Sequence, residues 1–307
     1  MDCRPIDYLL PVVLEGIEAA NRQHGQKLRK RIAVMGPEYF RRVQNYFAEY
    51  DTALRTQGKS IQFAVECYLK MCDDMLEERL AFLRTGAYSN QSFREVECRI
   101  YGNPAVMEYH IHGLGLAQFL WLDQYERLRF FCDGLPAYAK QIGDYLEIGG
   151  GHGLYAKEAL GLLPAMARID VLDISASSLA HARQLIGPSR INYVLDDIYC
   201  FETKRRYDFI TIAEVIEHVE KPVELLARVS SLLAENGAVY LTTPANAPMI
   251  DHIYLFKSTR EIRDLIVTAG FSIAAERVVV SEDVSEEVAE EKKIPIMYAA
   301  FLRRAPA

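Results

Sequence analysis

Cysteine pairs at metal-binding or redox spacing are missing from this sequence. Its six cysteines (Cys3, Cys67, Cys72, Cys98, Cys132 and Cys200) contain no C-x-x-C. In a chain of 307 residues, thiols scattered like this are expected to be reduced and mostly buried, as in a cytoplasmic protein. No apolar run approaches the ~20 residues that span a bilayer, so no membrane partner is expected. A secretory leader is not read at the start either. Leu9 to Leu14 is too short, and Asp2 and Asp7 precede it where such a leader carries basic residues. Positive charge is in deficit: 35 Lys and Arg face 42 Asp and Glu, for a net charge of −7. Phosphate backbones are bound by clustered Lys and Arg, so no nucleic-acid partner is expected. Convincing β alternation is absent before residue 144, and there is no internal repeat or low-complexity linker.

What is present divides at about residue 140. Residues 1–140 carry helical spacing. After Pro37, which suits a first helical turn, Phe40, Val43, Phe47, Tyr50 and Leu54 recur every three or four residues. Gly58 interrupts, and Ile61, Ala64, Tyr68, Met71 and Met75 resume the stripe as far as Gly86. A short helix is predicted over Ser92 to Tyr101. Asn103-Pro104 then reads as an N-cap with proline at the first helical position. Gly113 and Gly115 are expected to bend or split the apolar, aromatic stretch that follows.

From residue 141 to 307, strand-like and helix-like runs alternate. Strands are predicted at 144–148, 168–172, 191–195, 208–213 and 238–243, with helices at 154–163, 176–186 and 222–234. A further helix opens at Ser258, where Glu261 completes a capping box, and closes at Gly270. Two last strands, 272–281 and 294–302, have no helix read between them, so one is expected to insert antiparallel. Alternation of this kind predicts an α/β fold, a Rossmann-like seven-stranded sheet with an all-helical N-terminal domain.

The first strand runs into Glu147-Ile148-Gly149-Gly150-Gly151-His152-Gly153. Glycine serves where φ is positive or where a ligand lies on the backbone, and the amides of the next helix start favour anionic groups. The turn is therefore a nucleotide-type cradle or, in the blander alternative, only a loop. The dinucleotide pattern G-x-G-x-x-G requires a glycine where Leu154 stands, which weighs against a nicotinamide-dependent oxidoreductase. Asp173 ends the second strand, about where nucleotide-binding α/β folds place a ribose acceptor. As an alternative it caps the next helix, although Ser175 is better placed for that. Asp196 and Asp197 end the third strand.

The pattern acidic-x-G-x-G-x-G resembles the first motif of class I S-adenosylmethionine-dependent methyltransferases. Ala213-Glu214-Val215-Ile216-Glu217-His218-Val219 resembles a segment of the branch holding ubiquinone-pathway and natural-product O- and N-methyltransferases. Thr243-Pro244-Ala245-Asn246, Asp251-His252 and Ala269-Gly270-Phe271 continue the likeness, which spans residues 144 to about 271. It implies S-adenosylmethionine as cofactor, held by Glu147, Gly149, Gly150, Gly151, Gly153, Asp173, Ile174, Asp197, Ile198, Ala213 and Glu214. Asp197 is preferred to Asp196 as acceptor from the adenine amino group, although the pair is reversible. The Tyr207-Asp208 pair is taken as structural. Methyl transfer to a small-molecule oxygen or nitrogen in specialised-metabolite biosynthesis is the implied activity.

An acceptor that must lose a proton needs a base. His218, His252 and Glu214 are the candidates, against a purely structural role for each histidine. No metal is expected. If one is used, as in a metal-dependent O-methyltransferase, its ligands are Glu214, Glu217, His218 and His252, matching the small-RNA 2′-O-methyltransferases residue by residue. Carboxylate and imidazole at that spacing suit Mg²⁺ or Mn²⁺. Residues 1–140 are read as a substrate-binding and dimerising cap. Tyr109, His112 and Trp121, in a stretch that also holds His110, Gln118 and Tyr125, are its candidate acceptor contacts. Tyr138 is a candidate cover for the cofactor. A homodimer is expected.

Overall fold

The computed structural model of the chain describes residues 9–306. Cys3 and the acidic residues weighed against a leader lie outside them. The other five cysteines are free thiols. Among the described residues, no helix is long and apolar enough to cross a membrane.

Among the described residues, eight α-helices precede the first strand: α1 (Leu9–Ala20), α2 (Arg22–Ile32), α3 (Pro37–Arg55), α4 (Ile61–Thr85), α5 (Phe93–Val96), α6 (Pro104–Leu120), α7 (Leu122–Gly134) and α8 (Pro136–Ala139). A π-helical turn, Glu97–Tyr101, prolongs α5. The glycines of α6 do not split it: the helix runs unbroken from Pro104 to Leu120. A Cβ on Gly113 would lie 2.9 Å from the Met71 side chain, and one on Gly115 would lie 3.0 Å from the Tyr46 hydroxyl. These glycines let α6 press against α4 and α3. The break comes at Trp121, which is extended (φ −98°, ψ 117°) and joins α6 to α7.

The strands are β1 (Asp144–Ile148), β2 (Arg168–Asp173), β3 (Ile191–Leu195), β4 (Tyr207–Ala213), β5 (Leu233–Ala245), β6 (Phe271–Val280) and β7 (Ile296–Arg304). They form one seven-stranded sheet in the order β3-β2-β1-β4-β5-β7-β6. β7 runs antiparallel to both neighbours. Helices α9 (Leu154–Leu162), α10 (Ala176–Ile186), α11 (Pro222–Leu232) and α12 (Thr259–Thr268) cover the sheet. One correction falls between β6 and β7, where α13 (Glu286–Glu291) forms and Ser285 caps it through the Val288 amide. Its two leading glutamates, Glu286 and Glu287, favour the positive helix start, in a stretch where no helix is read from sequence.

Side chains alternate across the sheet with period two. Leu146, Ile148, Ile210 and Ile212 pack under α11 and α12. Tyr145, Phe209, Tyr240 and Phe301 face the other way, into a core shared with α1, α3, α4, α6, α7 and α9. The N-terminal helices are thus built onto one face of the sheet. α7 lies against it, and the Tyr240 hydroxyl donates to the Arg127 carbonyl at 2.6 Å. Tyr207 and Asp208 are structural in the geometry: Tyr207 donates to Asp170, and Asp208 accepts from the Gly143 and Asp144 amides.

Candidate active site

The carboxyl ends of β1, β2 and β4 open onto one cavity of about 1150 Å³. Ligand pockets ordinarily hold ~300–1,000 Å³. This one has room for more than a single small molecule. Its floor is the glycine turn. Gly149, Gly151 and Gly153 take φ of 75°, 46° and 78°. A Cβ at Gly149 or Gly150 would stand 2.5 Å from Val215 or Val171. The turn therefore brings bare backbone to the cavity and leaves no volume for a side chain at Gly149 or Gly150. Where the dinucleotide pattern would place glycine, the Leu154 amide donates instead to His152 Nδ1 at 3.2 Å.

Asp173 braces this turn, accepting from the Gly151 amide at 3.0 Å and the Ser175 amide at 2.7 Å. Burial raises its carboxyl pKa against the pull of those amides. Ser175 caps α10, as expected. Glu147 is buried at the end of β1, and desolvation pushes its carboxyl well above the usual range. Ile174, Asp196, Asp197, Ile198, Ala213 and Glu214 line the same cavity. Asp196 and Asp197 brace their own turn, accepting from the Asp197 and Tyr199 amides respectively. The predicted cofactor residues are thus brought together, with Gly153 just behind the turn, where a Cβ would meet Ala182. Backbone amides, a bare turn and acidic groups ending β1, β2 and β3 fit a nucleoside with a charged amino-acid tail.

Glu214 is not a free base. It sits at φ 55° and pairs with Arg127, whose side chain is fully buried. Thr242 also donates to it at 2.9 Å. Nothing in sequence marks Arg127, which falls off the apolar stripe Tyr125, Leu128 and Phe131.

The two candidate histidines belong to a buried network. Tyr101, His110, Glu217, His218, Asp251 and His252 meet where the segment after β4 faces the loop after β5. His218 Nδ1 lies 3.0 Å from the Asp251 carbonyl and 3.1 Å from the Tyr101 hydroxyl. Burial alone would lower its pKa, but the Asp251 and Glu217 carboxylates raise it. Burial, and then His218, take His252 down to about 3. Burial and Glu214 push Glu217 up to about 8. Burial would raise Asp251 too, yet His218 and His110 hold it well below the usual carboxylate range. Ligand atoms of Glu217, His218 and His252 lie within 4.8 Å of one another. Glu214, the fourth expected ligand, is turned to Arg127.

The acceptor contacts read from sequence divide by helical face. Met107, His110, Ile111, Leu114 and Gln118 of α6 face the cavity, as does Trp121. Tyr109 and His112 do not. They lie on other faces of the helix, Tyr109 donating to Asp74 at 2.6 Å and His112 meeting Tyr50 and His181. Tyr125 is core, edge-on to Tyr39. Tyr138 does not cover the cleft but stacks on Phe301 against the sheet.

Comparison with known proteins agrees with this geometry. A sequence family described as a methyltransferase domain matches residues 121–276, just over half of the chain. A ubiquinone biosynthesis O-methyltransferase of Glaesserella parasuis is 29% identical over 106 residues, 32% of this chain and 44% of its own. A nodulation protein S of Sinorhizobium fredii is 29% identical over 94 residues, covering 30% and 42%. The chain thus spans less than half the length of these curated relatives. The solved mitomycin 7-O-methyltransferase MmcR superposes with a TM-score of 0.50 at 16% identity, over 76% of this chain and 68% of that one, a likeness of fold. With the matched domain spanning the glycine turn, Asp173 and the Glu214–His218 segment, this chain belongs to the class I S-adenosylmethionine-dependent methyltransferases, whose cofactor is S-adenosylmethionine.

Proposed function

We propose that the protein transfers a methyl group from S-adenosylmethionine to an oxygen or nitrogen of a small molecule, in specialised-metabolite biosynthesis. One observation carries this reading. The cavity that begins at the glycine turn continues without a wall into a chamber lined by Met75, Leu114, Trp121, Met249 and Met297. The donor cleft and an apolar acceptor chamber are one space. The sulfonium supplies an activated methyl group. The chain's part is to hold an acceptor in line with it and keep water out. In this reading residues 1–140 form the acceptor-binding cap of a cytoplasmic homodimer, and residues 141–307 hold the cofactor. A monomer by light scattering at working concentration would remove the dimer.

Calorimetry with S-adenosylhomocysteine, followed by transfer of labelled methyl to a metabolite panel, tests the main reading. Micromolar binding and labelled product are expected. Tight NAD(P) binding without S-adenosylhomocysteine binding would overturn it.

A second reading has its own support. Glu217 Oε1 and His252 Nδ1 are buried without partners, beside His218 Nε2 at 3.9 Å from Glu217. Two imidazoles and a carboxylate suit a divalent transition ion. Here Glu217, His218 and His252 would hold it, and it would polarise an acceptor hydroxyl. Mn²⁺ or Zn²⁺ titration followed by calorimetry, with H252A as control, checks this. No heat of binding, together with unchanged turnover after chelation, sinks it.

A further inference from the structure

The cavity runs well past the donor end, and its far wall carries cations. On α4, Cys72, Met75, Leu76 and Arg79 recur at spacings of three and four and line the chamber together. The apolar stripe thus ends in a guanidinium. Arg31 of α2 lines the same end, with Lys27 one turn before it. Both arginines are half-buried. Arg79 donates to the Lys293 carbonyl and Arg31 to the Ser281 carbonyl. Those carbonyls stand on the two legs of the β6–β7 connection, which the Ser281 amide ties to the Pro295 carbonyl at 3.0 Å. Most of each guanidinium's five N–H donors are left over. Among the described residues neither arginine forms an ion pair, whereas Lys27 pairs with Glu282 at 2.8 Å. Asp73 and Asp123 are the other acids at this end. Asp73 is exposed, and Asp123 accepts from the Ser281 hydroxyl at 2.8 Å. Burial lowers the Arg79 pKa more than Tyr88 raises it. Arg79 Cζ lies 5.8 Å from the centre of the Phe82 ring and Lys293 Nζ 5.5 Å from it, so a further positive charge stands close by.

A cation without a carboxylate, set in the wall of an apolar chamber, is costly unless a ligand completes the pair. We infer that Arg79, supported by Arg31, binds a carboxylate of the acceptor, which makes the substrate an elongated apolar acid. The inference rests on the methyltransfer reading above. A guanidinium fork meets a carboxylate through two parallel hydrogen bonds. One negative charge matches this end better than the two of a phosphate ester, because Lys27 is already engaged by Glu282 and Asp123 sits beside Ser281. The sheet sets the length of the acid. β7 and β6 stand third and fourth from β1. At ~4.8 Å per strand, the carboxylate lies roughly 14–19 Å across the sheet from the glycine turn. It is therefore a handle, and the methyl group goes to an oxygen or nitrogen at the other end of the molecule. Met75, Leu76, Met249 and Met297 cover the apolar frame between.

Calorimetry on the full chain loaded with S-adenosylhomocysteine tests this. The probes are hydroxy- and amino-substituted naphthoic, cinnamic and biphenylcarboxylic acids, each beside its methyl ester, with the matching aryl phosphates alongside. Acids of fitting length should bind at least about tenfold more tightly than their esters, about 1.4 kcal/mol. R79Q should bring that ratio close to one by weakening the acids and leaving the esters nearly as they were, with S-adenosylhomocysteine affinity unchanged. R31Q should lower the ratio by less. R79K, which keeps the charge and loses the fork, should retain part of it. Labelled-methyl transfer should follow the same order in acceptor KM, with kcat held. If R79Q weakens acids and esters alike, Arg79 only staples the β6–β7 connection and the inference is overturned. A panel on which no acid binds more tightly than its ester overturns it as well, and so does a phosphate that binds more tightly than every acid. Failure of wild type to bind S-adenosylhomocysteine would instead defeat the methyltransfer reading.

Discussion

The two walls of the cavity are built in different ways. The donor wall is made of backbone: a run of glycines, strand ends and acidic side chains that grip neighbouring amides. The wall proposed for the acceptor is made of side chains from several elements, Met75 of α4, Leu114 of α6, Trp121, Met249 and Met297 of β7, with a packed network of histidines and carboxylates beside them. A backbone wall tolerates little change, because its shape depends on missing Cβ atoms. A side-chain wall is redrawn by any substitution that keeps the helix. The common methyl donor and the chain's individual acceptor therefore place very different demands on the two halves of one space.

The joint between the walls is the Arg127–Glu214 pair, and breaking it is expected to have the largest effect. Arg127 comes from the helical layer and Glu214 from the end of β4. Removing one partner of a buried ion pair typically costs about 3–5 kcal/mol. R127A should lose stability in that range by urea denaturation and should weaken S-adenosylhomocysteine binding as Glu214 swings free. In a double-mutant cycle, R127A with E214A should cost clearly less than the sum of the two. Strict additivity would show that the walls are independent, and that Glu214 keeps its φ of 55° for some other reason.

The same contrast explains what could be read in advance. β1 to β5 and the glycine turn announce themselves because local chemistry fixes them. Apolar runs end in acids, and glycines stand where φ is positive. Asp173 and Asp197 were legible because a strand end determines where a side chain can reach. The acceptor wall was not legible in this way. Tyr109, His110 and His112 are all plausible ligands in sequence, yet helical geometry sends them to Asp74, the cavity and Tyr50 respectively. Only knowledge of which face α4 covers decides among them, and that contact joins residues far apart in the chain. Arg127 and the Asp251–His110 contact were hidden for the same reason.

A substitution in the backbone wall sharpens the difference. G150V would drive a side chain into Val171, which already stands 2.5 Å from a Cβ at this position. Affinity for S-adenosylhomocysteine should fall on the order of 100-fold, about 2.7 kcal/mol, by calorimetry. W121F in the acceptor wall should leave that affinity within about twofold while changing acceptor KM. Equal losses of donor affinity in both variants would erase the distinction between the walls.

The smallest effect expected concerns where the helical layer meets α10, away from the cavity. His112 is buried beside His181, their ring centroids 4.7 Å apart, with Tyr50 on its Nδ1. Burial takes His112 down to about 4 and holds His181 well below its usual value. Both are therefore neutral in the fold and titrate near ~6.5 when unfolded. Between those values the unfolded chain binds protons that the native chain refuses, so stability falls as pH drops from about 6.5 toward 4. For His112 alone the loss between pH 6.5 and 5 is on the order of 2 kcal/mol. Urea denaturation at pH 7 and pH 5 should show it, and H112F should flatten the slope whatever it does to absolute stability. An unchanged slope in H112F would mean that water reaches the ring in the folded protein. The acceptor wall would then be loose on the side facing away from its substrate.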